Sequence, residues 1–152
     1  MMRGKITKLA IGIFVLVIML VIITLLTISA VNELLPNKKT AQSYYNSVRD
    51  SLEVIVQYLS ESDADWLITE EKPYREKIDD SEVVEALDKL FNDGCLEIGK
   101  QGNTIYFLRW TRWKDFGAGL AYTVKDGVRP KVAYITGYEP LSQARWYYYE
   151  TG

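Results

Sequence analysis

Three hydrophobic rhythms run along this chain, and each predicts a different kind of element. From Leu9 to Val31 there are 23 residues without a charged side chain. At roughly 1.5 Å rise per helical residue that is about 35 Å, enough to cross a hydrocarbon core about 30 Å thick. A bilayer satisfies no backbone amide, so such a segment must pair its own N–H and C=O groups as a helix. The second rhythm begins at Ala41. Apolar side chains at Ala41, Tyr45, Val48, Leu52, Ile55 and Leu59 advance by fours and threes, the period of an amphipathic helix ending near Leu59. Three heptads are too few for a free-standing coiled coil, so this stripe is expected to pack on its own domain.

A second soluble helix is predicted over Ser81–Asn92. Asp79 and Glu82 have capping-box spacing, Val83, Val84, Leu87, Leu90 and Phe91 form one stripe, and Asn92-Asp93-Gly94 supplies a stop. Between the helices, Ser60–Asp80 reads as a charged connection with Trp66, Leu67 and Ile68 as an apolar hook and Pro73 as a breaker.

After Gly94 the period falls to two, or to short apolar runs divided by turn residues. Strands are predicted at Cys95–Ile98 and Thr104–Thr111, joined by a glycine turn. Ile105 and Phe107 would face one way, and Tyr106, Leu108 and Trp110 the other, which makes the second strand central. Leu120–Val124 and Val132–Thr136 are expected to form a hairpin around Asp126-Gly127. A last strand covers Arg145–Glu150. The sum is an α+β fold: one N-terminal transmembrane helix, then two helices packed on an antiparallel meander of about five strands.

The organisation that follows is a basic tail at 1–8, a signal anchor at 9–31, a polar linker at 32–40 and a single α+β domain at 41–152. Arg3, Lys5 and Lys8 precede the apolar run with no acidic residue among them, which favours a cytoplasmic N-terminus and an extracytoplasmic C-terminal domain in the cell membrane. Lys38, Lys39 and Arg49 on the other flank oppose that bias. Ile28-Ser29-Ala30 offers a small-residue cleavage site, but the apolar run exceeds the roughly 7–15 residues of a secretory core, so an uncleaved anchor is expected.

Composition then removes whole classes of chemistry. The chain has no histidine, which excludes Ser-His-Asp and Cys-His catalysis and imidazole-ligated zinc within it. Its one cysteine, Cys95, can form no intrachain disulfide and reads as a core residue. Phe116-Gly117-Ala118-Gly119 lacks the lysine and hydroxyl of a phosphate loop. No cofactor or metal is expected. Carboxylate chemistry survives, so a cell-envelope hydrolase remains an alternative.

Charge divides the exported part. Asp50–Glu97 holds 15 acidic and 4 basic residues, net −11, while Ile98–Gly152 holds 4 acidic and 8 basic, net +4. Arg109, Trp110, Arg112, Trp113 and Lys114 are the densest basic and aromatic stretch. With Trp146 and Tyr148 of the tail they are the candidate binding residues, suited to an anionic envelope component, a lipid headgroup or a glycan. A packed strand end is the competing reading, because aromatics favour strands anyway.

Two resemblances bear on partners. Glu82–Trp110, with its helix, Asn92-Asp93-Gly94, strand, glycine turn and strand, looks like the last helix and wing of winged-helix DNA binders. Its helix carries Glu82, Glu85 and Asp88 against Lys89 alone, so it would meet phosphates with the wrong sign, and no nucleic-acid partner is expected. The order of apolar helix, amphipathic helix and antiparallel strands also looks like a type IV pilin, which would imply an assembly subunit. Here Gly4 is followed by Lys5, the first glutamate is Glu33, and Pro36 interrupts the helix such a plan requires. The expectation is therefore a single-pass binding or accessory module acting on a membrane-protein partner or envelope component. A third possibility places the partner contact on the membrane helix, through Thr24, Thr27 and Ser29.

Overall fold

The computed structural model describes residues 17–24, 36–71, 74–112 and 116–152. The chain divides into two compact units, Met1–Leu35 and Pro36–Gly152. In the first, residues 17–24 are helical. Their apolar side chains are exposed all round, from 42 % at Ile18 to 62 % at Met19. The Thr24 hydroxyl donates back to the Leu20 carbonyl at 2.7 Å, which lets a polar side chain sit in an apolar helix. No helix among the described residues is long and apolar enough to cross a membrane. The expected span of 9–31 extends on both sides of 17–24 into residues outside those described, as does the tail at 1–8.

The second unit is an α+β domain. Helix α1 spans Lys38–Ser60, strand β1 Trp66–Thr69, a 3-10 turn Tyr74–Glu76, helix α2 Ser81–Asn92, and strands β2 to β6 Glu97–Gln101, Thr104–Arg112, Phe116–Thr123, Ile135–Pro140 and Trp146–Thr151. All strands are antiparallel neighbours in one sheet of order β1-β2-β3-β4-β6-β5.

α1 begins earlier than its apolar stripe. Asn37 caps it, accepting from the Thr40 amide at 3.0 Å while the Thr40 hydroxyl accepts from the Asn37 amide at 2.9 Å. Lys38–Thr40, expected as linker, are thus its first turn. The predicted stripe is the buried face, with Tyr44 and Ser51 added to it. α2 occupies the predicted residues, but Asp80, not Asp79, is its cap and receives the Glu82 and Val83 amides.

Both helices lie on one face of the sheet. Tyr45, Leu52, Ile55, Leu87 and Leu90 there meet Ile98, Ile105, Phe107, Leu120 and Trp146 in the main core. Tyr106, Ala121 and Tyr149 form a smaller cluster on the opposite face, under Val132, Ile135 and Tyr147. Gly99 sits under the Tyr106 ring, where a Cβ would collide with it.

Three expectations change. The sheet has six strands, because the Trp66 hook pairs with β2 as an edge strand, Ile68 opposite Ile98. Leu120 and Val132 do not share a hairpin: β4 pairs with β6, and β5 lies beyond β6. The Asp126-Gly127 turn forms, with Gly127 at φ 71°, but the chain after it crosses the sheet as a cover instead of pairing. The Lys131 amide bonds Thr104 Oγ1 at 2.9 Å, and Pro130 is buried. The aromatic run of β6 fills both faces beside β4 with larger side chains than Val132–Thr136 offers, so it takes that place. Finally, the β3–β4 register slips between Leu108 and Trp110. This bulge at Arg109 returns Trp110 to the helix-covered face, the same face as Phe107.

Candidate functional site

The bulge decides the fate of the basic-aromatic stretch. Arg109 lies with its guanidinium carbon 4.0 Å from the centre of the Tyr44 ring and 5.5 Å from that of Trp110. It also donates to the carbonyl of Asp93, at the C-terminal end of α2. There a cation meets the orphan carbonyls and the negative end of the helix dipole. Trp110 stands edge-on to Tyr44 at 6.0 Å. Burial pushes the Tyr44 hydroxyl well above the ordinary tyrosine range. Arg109 and Trp110 are therefore occupied in joining α1, α2 and β3. Arg112 is the last residue of β3, opposite Phe116. Trp113 and Lys114 lie outside the described residues.

The tail aromatics are structural in the same sense. Trp146 is 4 % exposed and is ringed by Tyr45 at 4.9 Å, Tyr122 at 5.2 Å and Phe107 at 5.8 Å. Tyr148 is 3 % exposed, with its hydroxyl 3.0 Å from the Pro36 carbonyl and 2.7 Å from Glu150 Oε1. Both rings are core side chains first, and Trp146 reaches the surface only at the floor of a groove beside α1. Tyr147 and Tyr149 turn to the other side, where Tyr149 is 1 % exposed.

Two concavities among the described residues are large enough to take a small ligand. One, of about 450 Å³, is lined by Glu70, Glu71, Glu76, Asp88, Tyr74 and Phe91 between the 3-10 turn and α2. Asp88 is already engaged by the Tyr74 hydroxyl at 2.5 Å and by Arg75 at 2.8 Å. Among the described residues no group of three or more Cys, Asp or Glu side chains is arranged to hold a metal.

The other, of about 420 Å³, runs between α1 and the segment leading into β6. Tyr45, Tyr122 and Trp146 form its base, and Arg49, Glu53, Gln57, Gln143 and Arg145 its rims. Arg49, Glu53 and Gln57 repeat every fourth residue on one helix face, and Arg49 bonds Glu53 at 2.7 Å. The opposite rim is tied to α1 by Gln42. Its amide donates to Gln143 at 2.8 Å, and its oxygen accepts from the Ser142 amide at 2.9 Å and hydroxyl at 2.8 Å. Arg145 sits at φ 67°, a left-handed conformation that costs energy for any residue with a Cβ. There its guanidinium donates to the Val124 carbonyl at 2.9 Å, stacks 4.9 Å from the Tyr122 ring centre and approaches Asp126 at 3.3 Å.

This groove escaped sequence reasoning. Arg49 reads as solvated helix surface and Arg145 as a strand terminus, and only the fold brings them to one cleft. A residue at positive φ that is neither glycine nor asparagine leaves no mark in composition or period.

Cys95 is 2 % exposed, and burial, its dominant cause, pushes its thiol up to about 12. That removes it as a nucleophile near neutral pH. No protein-family model matches the chain, and no curated protein or solved structure matches it significantly.

Proposed function

We propose that this protein is a single-pass, membrane-anchored binding or accessory module. Its α+β domain would work outside the membrane on a membrane-protein partner or an envelope component. The observation that carries the anchor is the helix at 17–24, apolar and exposed on every side, inside an uncharged run of 23 residues. A helix apolar all round needs lipid or a protein interior to cover it. Support for a module comes from the chemistry the chain carries: it has no histidine, and its buried Cys95 thiol is held protonated. The basic flank Arg3, Lys5 and Lys8 supports a cytoplasmic N-terminus.

In-cell crosslinking and co-purification test the reading. The native chain is compared with a version whose first 31 residues are replaced by an unrelated anchor. Retention of the same partners assigns binding to the domain. Their loss assigns it to the apolar segment, and the absence of any partner with either form contradicts the module.

A second reading, a carboxylate-dependent envelope hydrolase, is favoured by the acidic cleft around Glu70, Glu71, Glu76 and Asp88. Hydrolysis of envelope polysaccharide by the purified chain, abolished by Glu76→Gln, would establish it in place of the module.

A further inference from the structure

We infer that the groove between α1 and β6 is a binding site for a small acidic saccharide, one carboxylate carried among neutral hydroxyls. This rests on the binding-module reading and names the ligand class. The cleft, about 420 Å³, falls within the roughly 300–1,000 Å³ of small-ligand sites.

Its lining selects against other classes. Its apolar lining is mainly the flat rings of Tyr45, Tyr122 and Trp146, with Val56 and Ala144 as its aliphatic side chains, a surface that suits the face of a sugar ring better than a peptide's aliphatic anchors. What it does offer is planar, bidentate groups on facing rims: Arg49, Glu53 and Gln57 from α1, Gln143 and Arg145 from the loop. Amides and carboxylates of this kind supply paired donors and acceptors, matching neighbouring hydroxyls on a sugar ring. Arginine forks match a carboxylate.

Charge sets how much anion the ligand carries. Two arginines face one glutamate within the groove, yet residues 37–152 carry net −4. A polyanion would be repelled by the domain at long range, whereas a single carboxylate among hydroxyls is captured locally.

Both arginines have donors to spare. Arg49 bonds Glu53 at 2.7 Å on the exposed face of α1, a surface pair that leaves its guanidinium free to turn to a ligand. Arg145 is fixed by the Val124 carbonyl and the Tyr122 ring. Its carboxylate partner Asp126 is 88 % exposed at 3.3 Å, a contact that water and salt weaken and a ligand can replace. The buried rings beneath, Tyr45 at 1 % and Trp146 at 4 % exposure, form a rigid base, so little ordering entropy opposes binding. The left-handed backbone at Arg145 is then the strained feature that keeps its guanidinium on the rim.

The test uses the full chain in nanodiscs of neutral phosphatidylcholine, so that lipid charge does not contribute. The probes are an array of disaccharides pairing one uronic acid with one neutral sugar, each beside its uncharged methyl ester. At least one acid form is expected to bind, with its ester and the Arg49→Gln variant each weaker by about tenfold. Arg145→Lys keeps the charge and loses the fork, and is expected to weaken binding while the far-ultraviolet circular dichroism stays native. Binding that is equal for acid and ester, or unchanged in Arg49→Gln, overturns the inference, as does an array without a single binder. In the last case, partners retained in the anchor-swap crosslinking would leave the module standing and remove only its saccharide ligand.

Discussion

The guanidinium of Arg109 lies 4.0 Å from the centre of the Tyr44 ring, joining a β-bulge to the first turns of the long helix. One side chain thereby connects three elements, since the same group reaches the Asp93 carbonyl at the end of α2. The relationship separates two variants. Arg109→Ala removes the cation over the ring and the bond to the helix end together, and is expected to cost about 1–3 kcal/mol. Tyr44→Phe keeps the ring and deletes a buried hydroxyl that has no hydrogen-bond partner among the described residues, so it is expected to change stability by less than about 1 kcal/mol. Urea unfolding of both variants checks this; equal losses would show that the ring–cation contact is not what matters.

Trp146 is expected to behave as core. Trp146→Ala empties the space among Tyr45, Phe107 and Tyr122 and should destabilise the domain by about 3–5 kcal/mol. Near-ultraviolet circular dichroism and the denaturation midpoint read the result. A variant of native stability would return Trp146 to the surface.

Gly119 and Gly137 form a second pair of opposites. A Cβ at Gly119 runs into the backbone carbonyl of Phe107, whereas the nearest side-chain atom to one at Gly137 is Glu150 Oε2 at 4.0 Å. Gly119→Ala is therefore expected to disrupt the β3–β4 ladder and Gly137→Ala to be tolerated. Thermal melts of the two proteins decide it.

The alkaline limb of stability follows from buried acids. The Cys95 thiol is raised from 9.0 to about 12, and Tyr44, Tyr106, Tyr148 and Tyr149 are raised, all chiefly by burial. In the unfolded chain these groups lose their protons near their ordinary values, while the folded chain retains them. The unfolded state thus binds fewer protons, and stability falls as pH rises from about 9 toward 12. Unfolding free energies measured from pH 7 upward should be level at first and then decline. Iodoacetamide should label Cys95 slowly in the native protein at pH 8 and rapidly in denaturant, and rapid native labelling would contradict its burial.

What the sequence revealed, and what it hid, follows from the range of each interaction. The stripe Ala41, Tyr45, Val48, Leu52, Ile55, Leu59 is the buried face of α1, and α2 spans the expected Ser81–Asn92, although its cap is Asp80 and not Asp79. Both are written in neighbours a few residues apart. Strand partners are not local: nothing near Val132 announces that β6 outcompetes it for β4, and Trp66 pairs with Lys100, 34 positions away. The bulge at Arg109 inverts the facing of Trp110 by a single slip, which simple alternation cannot express. The groove was illegible for the same reason, because Arg49 and Arg145 come to line one cleft only when α1 packs against the segment leading into β6.

The most direct measurement of the central claim is fractionation with protease access in intact cells. Full-length, uncut protein is expected in the membrane pellet after alkaline carbonate extraction, with its C-terminal domain digested by protease added outside. Uncut protein in the soluble fraction, or a domain protected while control ectodomains are cleaved, would contradict an anchored module working at the outer surface.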